Sequence, residues 1–203
     1  MAVHYDPEET ELKSAEKFVS FRDKDVLEIG CGEGRFTSKY FERTKSTIAI
    51  DSDPDAIRKA ESSSKVSPSY LNHGRIRFQE GDAEELEFQS ESFDVVIFSW
   101  SLCCLGDPLK SLREAHRVLR SQCKILDLMP DAVPSFETAT IQKIGGKDAI
   151  YQGGLTGFRA LVDSVQEGLF VPFDEQRVTF HTYFDNMADF IGWLPSKLGP
   201  FTQ

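Results

Sequence analysis

No run of the chain gathers the roughly 20 consecutive apolar residues that a membrane-spanning helix needs, so no such span is expected. The N-terminal stretch Met1 to Thr10 is polar and acidic and does not resemble a secretory leader, which leaves a cytoplasmic location as the default expectation. Cysteine is sparse: Cys31, Cys103, Cys104 and Cys123 are the four in 203 residues. None forms a CxxC pair or has a histidine close by, so neither a disulfide framework nor a structural metal site is expected. Basic runs are also missing, since Lys and Arg never occur more than two in a row. With 23 basic against 33 acidic residues the formal net charge is −10, which argues against a nucleic-acid partner while leaving a local basic groove open. There is no internal repeat and no low-complexity tract. The acids at Asp51, Asp53 and Asp55, and at Glu80, Asp82, Glu84, Glu85 and Glu87, read for the most part as solvated loops.

What is present is enough apolar residue, 40% of the chain, for one core of ordinary size. The pattern alternates strand and helix. Strands are predicted at Asp25–Ile29, Thr47–Ile50, Arg75–Gln79, Phe93–Ser99 and Lys124–Leu128. The fourth, FDVVIFS, is apolar on both faces, as a central parallel strand must be. Helices are predicted at Pro7–Val19, Glu33–Phe41, Pro54–Ser62 and Pro108–Leu119, the last two opened by Asp53-Pro54 and Asp107-Pro108. Farther on, helices are expected near Ser135–Lys143, at Leu155–Glu167 and from Asn186 to Trp193, with an antiparallel hairpin formed by Leu169–Phe173 and Arg177–Phe184. The expected fold is a single α/β domain over residues 1–203, a doubly wound, mostly parallel seven-stranded sheet ending in that hairpin, with helices on both faces.

Three segments carry chemistry. In VLEIGCGEGRFT, Val26 to Thr37, a strand runs into Gly30, Gly32 and Gly34 and then into a helix, which brings bare backbone against a ligand. The dinucleotide spacing GxGxxG would place its third glycine at position 35, where Arg35 stands, so a nicotinamide oxidoreductase is disfavoured. Asp51 ends the second strand 19 residues after Gly32, the distance at which an acid accepts hydrogen bonds from a ribose diol. Gly81-Asp82-Ala83 follows the third strand, where a carboxylate and a neighbouring N–H could meet an adenine edge.

In this order, VLEIGCGEG, IAIDSD, GDAEEL, SFDVVIFSWSLCCLGDP and SLREAHRVLR resemble the class I, Rossmann-like methyltransferases that use S-adenosylmethionine, and among them the small-molecule group. The resemblance covers about residues 25 to 128. It implies that Glu28, Gly30, Gly32 and Gly34 line the methionine part of the cofactor and that Asp51 binds the ribose, with Ser52 in the same site. It also implies that Asp82 and Ala83 hold the adenine and that Ser99 faces cofactor and acceptor. Some details depart from the family. Ser121-Gln122-Cys123 replaces the usual Pro-Gly-Gly, and Cys103-Cys104 stands where many relatives carry two histidines. Ser99-Trp100-Ser101 replaces the Asn-Pro-Pro-aromatic signature of amide and adenine methylation. The absence of that last signature, and of the Pro-Cys signature of cytosine-carbon enzymes, favours a small-molecule acceptor.

No catalytic base emerges. The candidates are His4, His73, His116, His181 and Asp127; Asp127 is the most suggestive, although a core acid bonded to backbone explains it equally well. Residues 130–157 read either as a lid hinged at Gly145-Gly146 and Gly153-Gly154 or as a plain surface connector. The N-terminal helical segment, residues 1–20, is the other element able to close over the site. Competing readings are a catalytically silent protein that binds S-adenosylmethionine and acts through partners, and a methyltransferase acting on protein or RNA.

Overall fold

The computed structural model describes residues 3–63, 68–72, 74–129, 149–179 and 181–189. Five strands form its central sheet: β2 (Asp25–Ile29), β3 (Ser46–Asp51), β4 (Ile76–Glu80), β5 (Phe93–Ser99) and β6 (Leu119–Leu128). All pair in parallel, in the spatial order β4-β3-β2-β5-β6. The order reverses between β2 and β5, so a crevice opens there beyond the carboxyl ends of the strands.

The helices cover both faces because apolar side chains of the buried strands point alternately to each. On one face Leu27, Ile29, Val96 and Phe98 pack against α5 (Pro108–Val118) and α6 (Ala149–Gln166) through Leu112, Ala115, Val118 and Ala160. On the other, Val26, Val95, Ile97 and Leu126 meet Leu12, Ala15 and Val19, from α1 (Thr10–Phe18) and just beyond it, and Phe36 and Tyr40. Helix α2 (Thr37–Tyr40) supplies Tyr40, and α3 (Pro54–Glu61) and α4 (Pro68–Asn72) complete the set. The Asp-Pro openings work as capping chemistry requires: Asp53 accepts from the Asp55 N–H at 2.8 Å, and Asp107 from the Lys110 N–H at 3.0 Å.

The five parallel strands are as predicted, but among the described residues the sheet has five strands rather than seven. Leu169–Phe173 is not a strand, and residues 170–179 adopt no regular secondary structure. Val171 and Phe173 are 88% and 73% exposed, and Pro172 between them has no N–H for a ladder. Alternating apolar residues there have no sheet face to meet. Only Thr182–Phe184 (β7) is extended, and it pairs antiparallel with β1 (Val3–Tyr5) in a separate two-stranded sheet. The second helix also shrinks. Residues 32–36 turn rather than coil, and α2 begins only at Thr37.

Of the expected lid, residues 130–148 lie outside the described residues, as do the helix near Ser135–Lys143, the Gly145-Gly146 hinge, His73 and residues 190–193. Gly153 and Gly154 lie inside α6 rather than in a turn. A Cβ on Gly157 would lie 3.2–3.3 Å from Met129 Cε and the Cys103 backbone, so this helix packs closely over the end of β5. No described helix is long and apolar enough to cross a membrane.

Candidate cofactor site

The glycine loop is built by what surrounds it. Gly30, Gly32 and Gly34 all have positive φ, +72°, +55° and +76°. At Gly30 the requirement is doubled, because an added Cβ would fall 2.3 Å from Ser101 Cβ. Ser101 in turn donates its hydroxyl to the Ile29 carbonyl at 2.5 Å, which sutures the end of β2 to the segment after β5. The N–H groups of Gly30 and Cys31 both donate to the Ile50 carbonyl, at 2.8 and 2.9 Å. Loop and strand ends thus share one rim.

Asp51 closes that rim from β3. Its Oδ2 accepts from the Gly32 N–H at 2.7 Å and its Oδ1 from the Asp53 N–H at 3.0 Å. Each oxygen keeps a second lone pair for a ligand hydroxyl. Asp82 organises the next turn in the same way, accepting from the Glu84 N–H at 2.8 Å. Glu84 then accepts from the Asp107 N–H at 2.8 Å, bracing the far wall. A cavity of about 360 Å³ lies between these walls, of the size expected for a small-molecule site. Gly30, Asp51, Ser52, Asp82 and Ala83, five of the nine residues predicted for the site, line it, together with Trp100.

The other four stand behind. Glu28 is 1% exposed and does not line the cavity. Its Oε2 accepts from Thr37 Oγ1 at 2.7 Å and from the Tyr40 hydroxyl at 2.8 Å, so it fastens α2 to β2 beneath the loop. Burial raises its carboxyl to about 7, against the pull of those two donors. Gly32 reaches the site through its N–H on Asp51, and Gly34 packs near Phe78 and Ala60, behind the loop. Ser99 accepts from Arg35 at 2.9 Å instead of facing the cavity.

Arg35 is the residue sequence reasoning undervalued. In the sequence it stands out only as the residue in place of a third dinucleotide glycine. Its guanidinium forms a two-pronged pair with Glu11 at 2.5 and 3.1 Å, bonds Ser99, and lies 5.0 Å from the Trp100 ring centroid. Glu11 is 3% exposed, so this pair locks α1 to the glycine loop and to the end of β5. Trp100 and Ser101 left no signal beyond their place after the strand. The cysteine pair lies at the rim. Cys103 and Cys104 have their sulfurs 3.7 Å apart, and Cys104 lines the cavity. A hydrogen bond from Cys103 lowers Cys104 to about 6 and raises Cys103 in exchange.

Residues 27–126 match the family model described as a methyltransferase domain. The chain is 29% identical over 115 residues to the uncharacterized methyltransferase YcgJ of Bacillus subtilis, which covers 57% of this chain and 43% of that protein. The crystal structure of the same relative superposes with a TM-score of 0.56 over 76% of this chain and 67% of that one, at 24% identity, which speaks for the fold. A ubiquinone/menaquinone biosynthesis C-methyltransferase of Citrifermentans bemidjiense is 29% identical over 154 residues, covering 70% of this chain and 63% of its own. A phosphoethanolamine N-methyltransferase of Haemonchus contortus, solved with phosphoethanolamine and S-adenosylhomocysteine, matches at 26% identity and a TM-score of 0.50, over 63% of this chain and 27% of that one. The chain thus spans less than two thirds of these curated relatives. The matched methyltransferase domain runs from β2 into β6, across the whole parallel sheet, so the chain carries a methyltransferase domain similar to those of the class I S-adenosylmethionine-dependent enzymes.

Proposed function

We propose that this protein transfers a methyl group from S-adenosylmethionine to a small-molecule acceptor. The observation that carries the reading is the cavity at the switch point, where Gly30, Asp51 and Asp82 converge from three successive strand ends. These residues suit the cofactor. Gly30 admits a ligand against backbone that no side chain could share. Asp51 keeps lone pairs for the two ribose hydroxyls, and Asp82 with Ala83 offers a carboxylate and an amide edge to adenine. Ser52 borders the same wall. S-adenosylmethionine, once bound, supplies an electrophilic methyl group on a sulfonium, so the cofactor carries the difficult chemistry. The protein's share is to hold both molecules, keep water away and orient the acceptor. Glu28, Gly32, Gly34, Ser99 and Arg35 act as positioning residues that fix the loop.

The relatives' names span carbon and nitrogen acceptors, and the acceptor atom does not follow from kinship. A small molecule is favoured by the net charge of −10, unsuited to nucleic acid. Calorimetry tests the cofactor reading. S-adenosylhomocysteine should bind and NAD should not. Asp51→Ala should weaken S-adenosylhomocysteine by about 2–4 kcal/mol, because hydroxyls lose a charged partner. Unchanged affinity in the folded variant would move the ribose contact elsewhere. Methyl-labelled cofactor incubated with metabolite extracts then identifies the product. Cofactor binding with no labelled product would favour a silent binding protein.

A further inference from the structure

One carboxylate in the described fold is left without an explanation. Both side-chain oxygens of Asp127 are inaccessible to solvent and have no hydrogen-bond partner. Buried carboxylates are otherwise paired or bonded, and Glu28 shows how this fold does it, with two hydroxyl donors. Asp127 lies one residue before the end of β6, in register with Phe98 on β5. It is therefore near the carboxyl edge of the sheet, where ligands of such folds bind.

Asp127 forms part of the wall of a second, larger cavity of about 1700 Å³, which Met129, Leu155, Phe158 and Leu161 also line. Trp100 borders both this cavity and the cofactor cavity, so the two meet at one side chain. The Trp100 N–H donates to the Leu128 carbonyl at 2.7 Å, which ties the junction to the residue beside Asp127. Three of the basic groups along the large cavity are engaged elsewhere. Arg117 pairs with Glu114, Arg120 with Asp25 and Asp94, and Lys124 donates to the Phe18 carbonyl.

We propose that Asp127 recognises the methyl acceptor, and that the acceptor is an apolar molecule carrying a basic nitrogen. This rests on the methyltransferase reading above. An unpaired carboxylate in an apolar wall gains most from a ligand that brings both a positive charge and an N–H donor. An alcohol brings only the donor, and a hydrocarbon neither. The same carboxylate can take up the proton that an ammonium must shed before its nitrogen becomes a nucleophile. Burial raises Asp127 to about 7, which suits that exchange near neutrality.

The test uses the full chain saturated with S-adenosylhomocysteine and three isosteric probes: phenethylamine, phenethyl alcohol and propylbenzene. Calorimetry should show phenethylamine binding about tenfold to a hundredfold more tightly than phenethyl alcohol. Asp127→Asn should abolish that preference while leaving S-adenosylhomocysteine affinity unchanged. Equal binding of amine and alcohol, no binding of the amine, or a preference that survives Asp127→Asn would each overturn the proposal. A carboxyl-carbon NMR titration of the wild-type chain reads the same contact without a variant. Phenethylamine should lower the Asp127 midpoint, and an unmoved midpoint would count against the contact. Failure of S-adenosylhomocysteine itself to bind would instead bring down the methyltransferase reading.

Discussion

Asp127→Asn should change the pH dependence of stability in a way that can be worked out from the fold. The carboxyl of Asp127 is raised from 3.8 to about 7, and burial is the cause. Below about pH 4 it is neutral in folded and unfolded chains alike, and it adds no penalty. Between about pH 4 and 7 the unfolded chain releases the proton while the folded chain retains it, so stability falls as pH rises. Above about pH 7 both states are ionised and the desolvation penalty is complete. At about 1.4 kcal/mol per pH unit, the gap between 3.8 and about 7 amounts to about 4 kcal/mol. Asparagine cannot ionise. The variant should therefore gain up to about 4 kcal/mol over the wild type on going from about pH 4 to about pH 8. For a chain of this size that is a difference of about 8–16 °C in midpoint temperature. Glu28, also raised by burial, gives both chains the same slope, so the difference isolates Asp127. Urea unfolding at a series of pH values measures it. A difference between variant and wild type that does not change with pH would refute the reasoning.

Four further predictions concern the loop and its rim. Gly30→Ala should cost about 2–4 kcal/mol from a strained φ and a buried overlap, and Ser101→Gly in the same chain should recover part of it; an equal loss in both backgrounds, measured by thermal unfolding, would dismiss the clash. Arg35→Met should cost about 3 kcal/mol by leaving the buried Glu11 without its cation, and Glu11→Gln should restore most of that; a loss of less than about 1 kcal/mol would reduce the pair to a surface contact. Iodoacetamide at neutral pH should alkylate Cys104 before the other three cysteines, and S-adenosylhomocysteine should slow it; peptide mapping that finds Cys103 first would reverse the assignment of the thiolate. The Cys103→Ser/Cys104→Ser double variant should keep most of its turnover, since methyl transfer needs no protein nucleophile.

The sequence by itself determined the parallel sheet and the glycine-loop rim that borders the smaller cavity. Phe93–Ser99 is apolar on both faces, and only a strand covered on both sides can use such a run; Asp25–Ile29 is apolar apart from Asp25 and Glu28. The Asp-Pro pairs mark the starts of α3 and α5 through chemistry confined to four residues. Gly30 and Asp51 were legible because a bare turn and an acid at a strand end are local features at a diagnostic spacing. Tertiary structure alone decided the rest, since it turned on partners distant in the chain. Leu169–Phe173 has strand-like composition, yet β7 pairs with β1 and Val171 stays in solvent. Glu28 turned out to be a buried brace because Thr37 and Tyr40 arrive above it. Arg35 gained its role from Glu11, 24 residues away, and from Ser99, 64 residues away. Asp127 was one acid in an apolar strand until packing showed that nothing in the described fold satisfies it. Periodicity and spacing report what a residue offers to its neighbours in sequence; burial and pairing energies depend on which distant groups the fold brings to it.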